Sequence, residues 1–337
     1  MMDKHLPADA FPIRANATAA PSSGIVEVFD YGRNKPGLMP LWVGEGDRPT
    51  PAFIAEAANA SLAAGETFYT YQGGIPSLRE TIARYLGGLY GNPVAPERIF
   101  VTSGGMHALQ LAVTMIAGPG DEVLVPSPAW PNFVGALTVS GATPREVAMR
   151  FGNQGWQLDI EDVARAITPR TKALTINSPA NPTGWTASLD ELRALLDLAR
   201  KHGLWIIADE IYGRFYYDAF RAPSFRDIMS PDDRIMFVQT LSKNWAMTGW
   251  RIGWLEAPAA LGTPIVNLIQ YSSSGTAVFV QRAAEAAIAG GDAFIAEQVE
   301  QARRNRAVLL EAFAREPRFR FAEPQGAFYL FFGVDGV

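Results

Sequence analysis

Short runs of consecutive apolar residues, each followed by a turn and often by a stretch with helical spacing, recur through the middle of this chain. The runs at 98–102, 122–125, 172–176, 204–208 and 235–239 are rich in Val, Ile, Leu and Phe. Being apolar on both faces, they suit strands of a sheet covered on both sides, which is the habit of parallel sheets. Between them, 105–117 and 188–202 carry helical spacing. The second of these ends in Lys201-His202-Gly203, basic residues followed by a glycine suited to a left-handed cap. Strands alternating with helices predict an α/β fold of three layers, a mostly parallel sheet with helices on both faces.

After Trp254 the pattern changes to a helical region over 264–315, followed by strand material over 319–332. A chain of 337 residues exceeds what one core usually organises, so two domains are expected. The expected division is 1–45 as an N-terminal arm and part of a smaller α+β domain, 46–290 as the large domain, and 291–337 as the rest of the small one. Residues up to about Gly24, rich in Ala, Pro and Ser, read as a loose arm.

Composition narrows the chemistry. The formal net charge is −5 and no basic run stands out, which disfavours nucleic acid. The chain holds no cysteine, so disulfides, thiol nucleophiles and thiolate metal sites are absent. With only three histidines, His5, His107 and His202, a zinc site is not expected; His107 reads as structural and the other two as exposed. The N-terminus lacks the apolar core of a secretory signal, and the longest apolar helical stretch, 108–117, is too short for a bilayer. A cytoplasmic protein without membrane contact is expected.

Ligands of such sheets sit beyond the carboxyl ends of the strands, so the residues following each strand matter most. They are Asp209-Glu210-Ile211-Tyr212, then 177–184 containing Asn181, then Thr240-Leu241-Ser242-Lys243 with Arg251 eight residues on, and Ser103-Gly104-Gly105-Met106 opening a helix. A lysine can form a Schiff base with an aldehyde. A carboxylate such as Asp209 can keep a pyridine nitrogen protonated. Asn181 and Tyr212 can hydrogen-bond a ring hydroxyl, Trp130 can stack on a flat ring, and Arg251 with the Gly104 helix start can hold a phosphate. Glu210 faces away from Asp209 if the strand continues and is given no role. Neither a P-loop nor a dinucleotide glycine fingerprint is present.

TLSKNWAMTGWRIG at 240–253 resembles the lysine signature of class I aminotransferases. NPTG at 181–184, ADEIY at 208–212, FYTYQGGIPSLRE at 68–80 and VGEGDRPTP at 43–51 resemble that family's motifs, in its order. The resemblance runs from about residue 25 to the end. It implies the type I pyridoxal-phosphate fold, usually dimeric, and transfer of an amino group from an amino acid to a 2-oxo acid. By the same resemblance, Lys243 bonds pyridoxal 5'-phosphate and moves the substrate proton, Asp209 pairs with the pyridine nitrogen, and Asn181 and Tyr212 contact the 3-hydroxyl. Ser103, Gly104, Gly105, Ser242 or Thr240, and Arg251 form the phosphate site. Tyr69 reaches the phosphate of a neighbouring subunit. Gly44 meets the substrate carboxylate, with Trp130 and Asn181 also on the substrate side.

Two departures accompany these matches. Thr240 stands where Ser or Gly is usual. The family also carries an arginine for the substrate α-carboxylate in small-domain sequence beyond the segment resembling 324–329, and no arginine follows Arg320. The small domain is therefore expected to be incomplete at its C-terminus. Two alternatives remain on the sequence alone: a β-eliminating enzyme of the same fold, and a cofactor-binding module without turnover. Arg33 or Arg48 is a candidate for a second substrate carboxylate.

Overall fold

The computed structural model describes residues 13–152 and 155–336. Its helices are α1 (Ala15–Thr18), α2 (Gly24–Gly32), α3 (Ala52–Ala63), α4 (Pro76–Tyr90), α5 (Gly105–Ile116), α6 (Pro131–Ser140), α7 (Ile160–Ala166), α8 (Leu189–His202), α9 (Gly262–Ser272), α10 (Val278–Gly290) and α11 (Asp292–Ala314). The strands are β1 (Ile99–Thr102), β2 (Glu122–Ser127), β3 (Thr143–Ala148), β4 (Arg150–Gly152), β5 (Gly155–Gln157), β6 (Thr171–Asn177), β7 (Trp205–Asp209), β8 (Ile235–Thr240), β9 (Gly253–Glu256), β10 (Phe319–Phe321) and β11 (Phe332–Val334).

A seven-stranded sheet in the order β1-β9-β8-β7-β6-β2-β3 forms the centre. The pairs from β8 through β3 are parallel, whereas β9 runs antiparallel to both β8 and β1. Alternate residues of each strand feed opposite cores, as the pleat requires. Val123, Val125, Ile207, Met236 and Val238 pack with α5, α6 and α9. Leu124, Leu174, Ile206, Ala208 and Phe237 pack with α7 and α8. A third cluster joins α3, α4 and α10 to Ile99, Val101 and Trp254 at the β1 end. Truncating a wholly buried leucine such as Leu195 to alanine removes about 2–5 kcal/mol of stability in such a core.

Local signals explain the helix ends. Ser188 accepts from the Glu191 amide while the Glu191 carboxylate accepts from the Ser188 amide, a capping box that starts α8. Gly203 ends it at φ +66°, a conformation glycine adopts without strain.

Some expectations need correction. The region 264–315 is three helices, broken at Ser273–Gly275, where Ser274 and Gly275 have positive φ, and again at Gly291. At Gly291 any side chain would strike Trp245. Of 319–332 only the two ends are strand, paired antiparallel as β10 and β11. The N-terminal arm is not wholly loose, because α1 and α2 lie within or beside it. His5 lies outside the described residues.

Candidate active site

The carboxyl ends of β1, β6, β7 and β8 meet at one rim. Because β9 runs against its neighbours, the residue pair Thr240–Gly253 sits at that same rim, as does Thr102–Gly253. Arg251, just before β9, is thereby delivered beside the start of α5.

One half of the site is a cup for an anion. Gly104 has φ +87°, and a Cβ there would lie 2.5 Å from Nη2 of Arg251. Only glycine lets the guanidinium approach the backbone this closely. Gly253 is equally confined, against the Gln239 carbonyl and the backbone of Gly104. Arg251 donates through Nη1 to the Thr248 carbonyl at 2.8 Å, which fixes its fork in place. Thr240 Oγ1 and Ser242 Oγ are 2.9 Å apart, and Thr240 Oγ1 also donates to the Ile252 carbonyl at 3.1 Å. The first turn of α5 presents backbone N–H groups that a helix cannot pair within itself, and its dipole favours an anion. One nearby amide is already used: Ser103 N donates to His107 Nδ1 at 3.2 Å. Burial lowers the His107 pKa, which suits a neutral ring accepting at that nitrogen. His107 Nε2 lies 2.8 Å from Ser272 Oγ, so this histidine ties α5 to α9 and is structural, as expected.

The other half is a ring-binding wall. Asp209 ends β7 and is buried; its carboxylate accepts from the Ile211 amide at 3.3 Å. Burial above all, with the Glu210 charge, raises its pKa from 3.8 to about 7, although the Ile211 N–H and Lys243 pull the other way. A buried carboxylate with a single neutral donor is chemically suited to a cationic N–H partner. Lys243, half-buried, donates to the Gly44 carbonyl. Burial, aided by the charge of Arg251, lowers its pKa against the opposing pull of Glu45 and Asp209. That makes the free amine, the nucleophilic form, more available. Tyr212 is buried, and its hydroxyl lies 2.6 Å from that of Tyr329, to which Asn181 Nδ2 also donates at 3.3 Å.

The structure thus gathers Lys243, Asp209, Tyr212, Asn181 and Gly44 on one side and Ser103, Gly104, Gly105, Thr240, Ser242 and Arg251 on the other. These residues fit a phosphorylated pyridine aldehyde, because the cup admits only glycine and the wall holds an amine and a buried carboxylate. Trp130 caps α6 at its N-terminus and packs edge-on to Phe133, with ring centroids 5.8 Å apart. Tyr69 is 97% exposed and stands apart from the rest. Arg48 is paired with Glu297 at 3.0 Å, and Arg33, just past α2, with Asp30 of that helix at 2.9 Å. Glu210 points into the core, where it pairs with Arg226. Tyr329 was not foreseen, although it closes a Gly-Ala-Phe-Tyr segment already singled out.

No group of three or more His, Cys, Asp or Glu is placed to hold a metal among the described residues, and no helix among them is long and apolar enough to cross a membrane. Residues 36–337 match the family model "Aminotransferase class I and II". The chain is 35% identical to an aspartate aminotransferase of Thermotoga maritima, over 89% of this chain and 78% of that one. It is 36% identical to an arginine–pyruvate transaminase of Pseudomonas aeruginosa, over 87% and 74%. A Thermus thermophilus aspartate aminotransferase solved with maleate superposes with a TM-score of 0.89 at 34% identity, over 96% of this chain and 85% of that one. All are aminotransferases, which favours transamination over the β-eliminating and non-catalytic alternatives. The match over nearly the whole sequence and the shared three-layer architecture place this chain in the class I and II aminotransferases, pyridoxal-phosphate-dependent enzymes of the type I fold.

Proposed function

We propose that Lys243 is the residue that bonds the cofactor and then carries the substrate proton. The observation behind this is the placement of its amine. It is sheltered, lowered in pKa, held by the Gly44 carbonyl and facing the wall formed by Asp209 and Tyr212. Pyridoxal phosphate, when bound, supplies an electron sink for the substrate's Cα electrons. Asp209 holds a proton on the pyridine nitrogen, while Asn181 and Tyr212 orient the ring oxygen. Ser103, Gly104, Gly105, Thr240, Ser242 and Arg251 hold the phosphate. The backbone of Gly44 orients the substrate carboxylate, and Trp130 forms a wall over the ring.

The working form is a cytoplasmic homodimer in this reading, with Tyr69 reaching the partner's phosphate site. Its support is the exposure of Phe68, Tyr69, Tyr71 and Tyr271, aromatic side chains that a chain alone leaves in water. The proposed division is 1–45 and 291–337 in a small domain and 46–290 in the large one. Aspartate, named for several relatives, is the amino donor to try first.

The test is an absorbance titration with pyridoxal phosphate, followed by a panel of amino acids. The unmodified chain is expected to show a visible band that aspartate or another donor bleaches to the amine form. Lys243→Ala is expected to lose the band and about 10²–10⁴-fold in amine transfer, the contribution of a positioned general base. A band that survives in Lys243→Ala would falsify the assignment.

A further inference from the structure

The ring-oxygen site has a member that its sequence motifs do not name. Tyr329 reaches it from the C-terminal segment, whose backbone is clamped to the rim loops. Gln325 N and Gly326 N donate to the Gly184 carbonyl at 3.0 and 3.1 Å, and Ala327 N donates to the Phe215 carbonyl at 2.8 Å. The Tyr217 hydroxyl donates to the Ala327 carbonyl at 2.6 Å, and the Thr186 amide to Gln325 Oε1 at 3.1 Å. Ala327 is fully buried. The Tyr329 ring then packs edge-on to Tyr212, centroids 5.7 Å apart, and against Phe328 at 5.0 Å. Its hydroxyl stands so near Gly44 that any side chain there would collide with it.

The donors and acceptors of this cluster can be counted. Asn181 Nδ2 can only donate, so the Tyr329 oxygen accepts from it. Tyr212 and Tyr329 share one contact at 2.6 Å, and either can be its donor. If Tyr212 donates, its single proton is consumed inside the protein. If Tyr329 donates, the Tyr212 proton is free to point into the site. Only the second arrangement lets Tyr212 serve a ring oxygen.

Resting on the cofactor reading above, we propose that Tyr329 is a positioning residue: its hydroxyl donates to Tyr212 and thereby turns the Tyr212 proton toward the cofactor's ring oxygen. The chain Asn181 to Tyr329 to Tyr212 polarises each successive O–H, which makes Tyr212 a stronger donor than it would be alone. Burial keeps both phenols protonated, holding Tyr212 well above its ordinary value and Tyr329 at about 12. Asp209 at the end of β7 is the charged side chain that acts on both phenols, and the Lys243 amine, which itself feels Glu45 and Arg251, lies 6.0 Å from the Tyr212 ring centroid.

The experiment is a pH titration of the visible band of the cofactor-loaded chain, comparing Tyr329→Phe, Tyr212→Phe and the double variant. Phenylalanine keeps the ring packing of Tyr329, so folding is retained. A ring oxygen that loses donor strength holds its anionic form less well, and the midpoint rises. The expected rise is roughly half a pH unit for Tyr329→Phe and about one unit or more for Tyr212→Phe. The double variant should match Tyr212→Phe alone, since Tyr329 acts through Tyr212. An unchanged midpoint in Tyr329→Phe, a downward shift, or simple addition in the double variant each overturns the proposal. Absence of any band in the unmodified chain overturns the cofactor reading itself, and this proposal with it.

Discussion

Asp209 and Glu210 are neighbours, both carboxylates and both buried, yet the molecule treats them in opposite ways. Glu210 turns into the core beneath the rim. There its Oε2 accepts from Ser224 Oγ at 2.7 Å and Arg226 Nη1 at 2.9 Å, and its Oε1 accepts from the Phe225 amide at 3.2 Å. Arg226 in turn reaches Glu256 at 2.6 Å and lies over the Phe237 ring, 3.7 Å from its centroid. Burial alone would discharge Arg226, but Glu256 and Glu210 outweigh it and hold the guanidinium firmly charged. Asp209 has one backbone amide and a nearby lysine. Glu210 is satisfied by the fold, whereas Asp209, proposed to meet the cofactor, is left wanting a cation. The chain leaves the strand between the two, and that single step sends them to different environments.

The largest test of this contrast is Arg226→Met. It leaves Glu210 buried without its cation and Glu256 with only Arg98, 3.6 Å away, and breaking such a pair typically removes about 3–5 kcal/mol, read from denaturant unfolding. A variant as stable as the parent would break the comparison.

Asp209→Asn should act with the opposite sign. The folded chain holds the Asp209 proton up to about pH 7, against 3.8 ordinarily. Native protein therefore binds more protons than unfolded protein between these values, and stability falls as pH rises through the window. In chain stripped of cofactor, the asparagine variant should match the parent near pH 4. By pH 8 it should exceed it by something on the order of 2–4 kcal/mol, while losing amine transfer. A thermal-melt series across that range checks both ends.

Lys243→Met sharpens the point from the basic side. Burial disfavours the lysine's charge, so its stability cost grows as pH falls from the ordinary lysine value toward the depressed one and is constant below it. The methionine variant should melt slightly higher than cofactor-stripped parent at neutral pH, and the gap should close at high pH. A gap that widens on alkalisation would contradict this. The smallest effect belongs to Arg193→Ala, whose pair with Asp190 is open to water on both sides. Unfolding should move by no more than about 0.5 kcal/mol, confirming that position, not charge, sets the scale.

The sequence carried the sheet's buried strands plainly, because runs such as Ile235–Thr240 are apolar on both faces. It hid β3, whose Thr-Pro-Arg-Glu-Val-Ala mixes charge with a single buried valine at the sheet's edge. It also hid β9, which is four residues long and ends in Glu256. Helices α3 and α4 went unread, since their cores are completed by α10 from far along the chain. Lys243, Arg251 and the Gly104 turn were legible as short motifs, and the fold brings Arg251 against Gly104. The Arg226 network and Tyr329 were not, because their partners are distant in sequence and meet only through folding.

The single reversed neighbour in the sheet, β9 beside β8, also bears on how the enzyme is assembled in time. Lys243 and Arg251 both lie on the connection between two adjacent, directly paired strands, a local unit whose closure entropy is small. Gly104 and the opening of α5 come from much earlier in the chain, and pairing β1 with β9 is a distant contact of the kind that slows folding. The lysine and arginine can therefore be set before the cup they share is closed. Affinity for the phosphate should appear only once β1 has paired with β9, so cofactor capture would report that pairing.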